Sequence, residues 1–179
     1  MIGRKEPSTR WAWVEIDRGA LRRNTRAFKN LLGPRQRLCC VVKADAYGHG
    51  AVECAKIMHA TGCDMFAVAT VMEGVELRRG GIAEPILVLS EPPATEHSLM
   101  PSVYTSEFAL AYGERAVSLG VVGRYHMAIE TGMNRIGVHY ADVIDFRREI
   151  DFHRGIRCDG VFTHFATADE SNGWDYKLQ

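Results

Sequence analysis

The sequence predicts an α/β fold built on a parallel sheet, and three observations carry that expectation. Short β-rich runs alternate with helical stretches along the chain. The runs are almost continuously apolar, as strands covered on both faces must be. Six strand–helix units can be counted in 179 residues. A closed (β/α)8 barrel needs eight strands and about 250 residues. The residues alone therefore leave two architectures, an open doubly wound sheet or an incomplete barrel.

Trp13–Ile16 alternates more than the later runs and could belong elsewhere. Asp17 is placed to cap a helix that runs to Leu32 and stops at Gly33–Pro34. The strands then read as Leu38–Val42, Met65–Thr70, Ile86–Ser90, Ser102–Thr105, Tyr125–Glu130 and Val161–Phe165. Helices are expected near Gly50–Thr61, Val71–Arg79, Glu107–Leu119 and Ala141–Phe152. No repeat or low-complexity segment interrupts the pattern.

Composition excludes several function classes. Twenty-two basic and 22 acidic residues cancel, which gives no support to nucleic-acid or membrane-surface binding. No apolar run approaches the roughly 20 residues of a membrane helix. Met1–Arg10 has no apolar signal core, so export is not expected and the chain reads as cytoplasmic. The five cysteines are odd in number, sparse and without a CxxC pair, and read as reduced thiols. His49, His97 and His126 show no metal-ligand spacing, so no metal is expected. Nucleotide-binding glycine motifs and a nucleophile elbow are both missing.

Three polar clusters follow strands. VVKADAYGHG, residues 41–50, puts Lys43 at the C-terminal end of an apolar strand, where α/β sheets bind ligands. A partly desolvated amine at such a mouth suits a Schiff-base lysine. ETGMNRIGV, residues 130–138, sets Arg135 between glycines, placed to grip a carboxylate with its planar fork. GVFTHFATADE, residues 160–170, puts His164 at the end of the last strand, where it can stack on a ring or hold a proton. Taken singly, each reads more simply: a solvated loop lysine, a turn arginine, a satisfied core histidine. In a parallel barrel, however, all three strand ends lie on one face, and three accidents there are less expected than one site.

These stretches also carry a resemblance. VVKADAYGHG closely resembles the cofactor-lysine motif of alanine racemases. ETGMNRIGV and GVFTHFATADE resemble two further motifs of that family, in order, and WVEIDRGALRRNTRAF from Trp13 resembles its usual opening. The resemblance implies a (β/α)8 TIM-type barrel, incomplete in this chain at about six of eight strands. Its first strand would belong to a separate β-domain, giving 1–17 to that domain and 18–179 to the barrel. It implies a pyridoxal-phosphate-dependent homodimer that interconverts L- and D-alanine by two-base proton transfer, supplying D-alanine for peptidoglycan. Lys43 would hold the cofactor and act as one base. Tyr47 would reach the cofactor phosphate, His164 would pack on the pyridine ring, and Arg135 would hold the substrate carboxylate.

Two departures qualify the resemblance. Many members carry a carbamate-modified lysine three residues before Thr-Gly-Met, where this chain has Ala128, and Glu130 stands where Asp is usual. A serine racemase of the same family is therefore an alternative. The second base, a tyrosine, comes in this family from the partner's β-domain, and the last two barrel strands are expected beyond Gln179. The chain alone is accordingly expected to be inactive. A non-catalytic cofactor-binding or inert fragment is the reading from another class, and the pairing of the lysine and arginine motifs argues against a barrel decarboxylase or aldolase.

Overall fold

The computed structural model describes residues 12–92 and 98–170. His97, and the segments before Ala12 and after Glu170, lie outside the described residues. The first helix, α1 (Arg18–Leu31), starts where Asp17 accepts the backbone N–H groups of Gly19 and Ala20 at 2.7 and 3.0 Å. A capping carboxylate satisfies two of the donors that a helix start leaves open.

The strands that follow are β1 (Cys39–Val41), β2 (Met65–Val68), β3 (Ile86–Val88), β4 (Met100–Val103), β5 (Gly123–Glu130), the short β6 (Val138–His139) and β7 (Ile156–Thr163). Between them lie α2 (Lys43–Gly48), α3 (Ala51–His59), α4 (Val71–Arg79), α5 (Ser106–Ser118) and α6 (Val143–Ile150). Every strand pair is parallel, in the order β1-β2-β3-β4-β5. His126 pairs with both Ser102 and Gly160, and Ile129 with both Val138 and Thr163. A strand has two edges, so β7 takes one edge of β5 while β4 and β6 share the other in succession. Six main strands in sequence order are the α/β barrel arrangement expected, without closure among the described residues.

Strand alternation sorts side chains to two faces. Phe66, Val68, Ile86 and Val88 point out to α3 and α4, where they pack with Cys54, Ala55, Val75 and Leu77. Tyr125 and Met127 form a second outer cluster with Ala109, Tyr112 and Ile150 of α5 and α6. Ala67, Leu87 and Met100 make the inner layer, with Phe162 of β7 against them. Full burial of a Leu, Ile, Val or Phe side chain stabilises by roughly 1.5–3 kcal/mol, so the sheet is held chiefly by its outer clusters. Among the described residues no helix is long and apolar enough to cross a membrane.

Three expectations need correction. Trp13–Ile16 is not a strand: Trp13 is 72% exposed, and none of the described residues offers it a ladder. A strand exists only through its partner's hydrogen bonds, which the alternating pattern could not supply. β4 begins at Met100 and runs through Pro101, earlier than the apolar pattern indicates, because proline argues against a central strand. β7 begins at Ile156, five residues early. Its first half carries Arg157, Asp159 and Gly160, and a bulge opposite Tyr125–His126 lets Asp159 meet both Arg124 and Arg157.

Candidate active site

Because the strands are parallel, the turns that follow β1, β5 and β7 open on one face of the sheet. Lys43 follows β1, Arg135 lies in the loop from β5 to β6, and His164 directly follows β7. Lys43 is half-buried, while Arg135 and His164 are exposed. Tyr47 is 61% exposed and lines a groove with Val41, Leu21 and Asn24, the last two on α1. Among the described residues no hydrogen bond or ion pair joins these four side chains to one another. The structure thus brings Lys43, Arg135 and His164 to one face, and sets Tyr47 toward α1.

The lysine turn has an unusual backbone. Ala44, Asp45, Ala46 and Tyr47 all have φ between 51° and 56°, forming a left-handed turn within α2. Left-handed helix costs L-residues about 1–2 kcal/mol each, so four cost about 4–8 kcal/mol. The composition keeps that figure low: two alanines and an aspartate tolerate the conformation better than branched residues, and Gly50 (φ 89°) turns the chain into α3.

Several bonds hold the turn. The Ala46 N–H donates to the Val42 carbonyl at 2.9 Å, and the Gly50 N–H to the Asp45 carbonyl at 2.9 Å. The Asp45 carboxylate accepts the Ala51 N–H at 2.6 Å, and Nδ1 of His49 lies 2.9 Å from the Ala46 carbonyl. Across the sheet, the Ala44 N–H donates to Oε1 of Glu73 at 2.7 Å. The other oxygen of Glu73 accepts Ala69 and Thr70 N–H groups at 2.7 and 3.0 Å, completing a capping box on α4. Partial burial works to raise the Glu73 carboxyl, but the N–H bonds from Ala44, Thr70 and Ala69 outweigh it and leave it below the ordinary value. A hydrogen bond to a charged group contributes about 1.5–3 kcal/mol, so no single bond offsets the turn and the hold is collective.

The arginine loop is built otherwise. Gly132 (φ 130°), Asn134 (φ 53°) and Gly137 (φ 123°) supply its positive-φ positions. A side chain at Gly137 would put its Cβ 2.7 Å from the Glu130 nitrogen, so only glycine fits. Glu130 accepts the N–H groups of Gly132 and, at 3.3 Å, Arg135. Desolvation would raise its carboxyl, yet the backbone donors of Asn134, Gly132, Arg135 and Met133 bring it below the ordinary value. The hydroxyls of Thr131 and Thr163 meet at 2.7 Å and join this loop to the end of β7, beside His164. Ala128 is buried at 2% exposure on β5, opposite Phe162.

Sequence reasoning missed Glu73, Asp45 and the Thr131–Thr163 pair. The capping-box pattern Thr70-x-x-Glu73 was a readable signal for the helix start. Its reach to Ala44 was not readable, because that contact joins two different strand ends.

The family model described as "Alanine racemase, N-terminal domain" matches residues 16–178. The alanine racemase of Halothermothrix orenii is 39% identical over 168 residues, 90% of this chain and 44% of that protein. An alanine racemase structure from Clostridium difficile 630 superposes with a TM-score of 0.83 at 40% identity, covering 88% of this chain and 43% of that one. The Bacillus anthracis enzyme with bound L-Ala-P gives 0.85 at 34% identity, with 96% and 46% covered. The chain thus spans a little under half the length of the relatives it matches.

Proposed function

We propose, for a chain that belongs to the alanine racemase family through its N-terminal domain, that the protein interconverts L- and D-alanine with pyridoxal phosphate. The observation that carries this reading is the lysine held on a clamped turn at the mouth of the parallel sheet, on the face shared with Arg135 and His164. The donor set fits the cofactor: an amine for its aldehyde, a phenol for its phosphate, and an imidazole for its ring.

When bound, pyridoxal phosphate supplies an electron sink for the pair left when the substrate's α-proton departs. Lys43 would hold the cofactor and move a proton at Nζ on one side of the substrate. Tyr47 would donate its hydroxyl to the phosphate. Arg135 orients the substrate carboxylate with its fork of donors. His164 would pack against the pyridine ring. A second base on the opposite side would come from the β-domain of the other subunit in a homodimer. The protein acts in the cytoplasm, supplies D-alanine for peptidoglycan, and takes small amino acids rather than nucleic acid or membrane as partners. Serine, weighed because of Ala128, gains nothing from the relatives described above, which are alanine racemases.

The test is to load the purified full-length protein that carries this chain with pyridoxal phosphate, reduce it with borohydride, and map the modified peptide. The label is expected on Lys43, with D-alanine formed from L-alanine in a chiral assay. Label on another lysine with Lys43 bare overturns the assignment.

A further inference from the structure

The peptide that follows Lys43 is gripped from the first turn of α4, the helix after the neighbouring strand. Its N–H, carried by Ala44, donates to Oε1 of Glu73 at 2.7 Å. On the other side of the lysine, the Val42 N–H donates to the Ala67 carbonyl at 2.9 Å. Lys43 is therefore bracketed by two bonds to the β2–α4 segment. A peptide unit is planar, so fixing the Ala44 N–H also fixes the Lys43 carbonyl and hence its ψ. Glu73 does not float: Ala69 and Thr70 hold its second oxygen, and α4 carries its backbone.

The same device recurs at the next pair of turns. Glu91, after β3, accepts the N–H groups of Tyr104 and Thr105 after β4, both at 2.6 Å. At the third pair, Thr131 after β5 meets Thr163 at the end of β7. Side chains thus tie neighbouring strand ends in pairs along the mouth, and Glu73 is the tie that acts on the lysine.

We propose that Glu73 is a positioning residue for Lys43. Its carboxylate holds the first peptide of the left-handed turn and so fixes where the lysine amine is presented. The proposal rests on the reading that Lys43 holds pyridoxal phosphate. Glu73 itself touches neither cofactor nor substrate in this role.

Two variants separate positioning from folding. Glu73→Asp keeps an acidic first turn on α4 but is one methylene too short to serve both Thr70 and Ala44. Glu73→Gln keeps the reach and one acceptor oxygen, and gives up the charge and the second acceptor. The readouts are the rate of borohydride-trappable attachment of pyridoxal phosphate to Lys43 and the thermal midpoint. A third readout is the acetylation rate of Lys43 in cofactor-free protein, with Lys56 as internal reference. Glu73→Asp is expected to stay folded, melting a few degrees below the parent, yet attach cofactor about tenfold or more slowly, the loss of one charged hydrogen bond. Its Lys43/Lys56 acetylation ratio should shift, and Glu73→Gln should recover part of both effects. A folded Glu73→Asp with parental attachment and acetylation rates overturns the proposal while leaving Lys43 as the cofactor lysine. Trapped label on a different lysine in the parent overturns both readings.

Discussion

The lysine turn and the arginine loop share one face of the sheet but are held in place by different means. The lysine turn carries four consecutive non-glycine residues in the left-handed region, against a core formed by Val42, Ala46 and Ala51. Two carboxylates keep it there, one from the turn itself, where Asp45 accepts an N–H of α3, and one from outside, Glu73 of α4. The arginine loop places its strained positions at Gly132, Asn134 and Gly137, and is folded onto the carboxylate of its own strand, Glu130. One region stores strain and is clamped from outside; the other avoids strain and is largely self-contained. A residue that must hold a cofactor in one position gains from the first design. A residue that receives an incoming substrate needs only local order, and the second design gives that.

The comparison breaks most severely at Gly137. Its φ of 123° is rarely adopted by L-residues, and a Cβ there would lie 2.7 Å from the Glu130 nitrogen and 2.9 Å from the Ile129 carbonyl carbon. Backbone strain and overpacking together make Gly137→Ala cost about 2–6 kcal/mol in a urea melt. If the two regions are independent, cofactor attachment at Lys43 should survive in whatever fraction remains folded, while racemisation is lost. A variant as stable as the parent would show that the loop does not depend on this glycine.

A smaller effect is expected from Arg135→Lys, which leaves the backbone alone and removes the bidentate fork. In the full-length protein kcat/KM should fall roughly tenfold or more for both alanine enantiomers, with the rate of cofactor attachment to Lys43 unchanged. Near-parental kinetics would take Arg135 out of substrate binding. A slowed attachment would show that the two regions are coupled after all.

Much of this arrangement could be read from the chain. The helix begun by Asp17, the helix Val71–Arg79 and the alternation of strands follow from caps and local periodicity, which are properties of neighbouring residues. Lys43, Arg135 and His164 could be placed on one face because parallel strands put all their C-terminal ends together. The left-handed turn was not legible: Ala44 and Ala46 are good right-handed helix formers, and only contacts from α3 and α4 reverse their preference. Trp13–Ile16 failed for the complementary reason, since its alternation is a real strand signal without a partner among the described residues. Glu73 and the Thr131–Thr163 pair join positions 29 and 32 residues apart, and such contacts exist only once register is set.

The smallest effect sharpens the comparison through its sign. Replacing alanine by glycine within a right-handed helix costs about 0.5–1 kcal/mol, because the unfolded chain gains freedom. At Ala44 that loss of about 0.4–1 kcal/mol is opposed by relief of a left-handed conformation worth about 1–2 kcal/mol. Ala44→Gly should therefore leave stability unchanged or raise it by about 1 kcal/mol. Ala27→Gly, at an exposed position of the right-handed α1, supplies the control and should lower it by about 0.5–1 kcal/mol. Both are read as shifts in the urea midpoint at constant slope. Opposite signs would confirm that the lysine turn stores strain in solution. Equal losses at the two positions would mean that Ala44 is not left-handed there, and the contrast between a strained lysine turn and a relaxed arginine loop would fall with it.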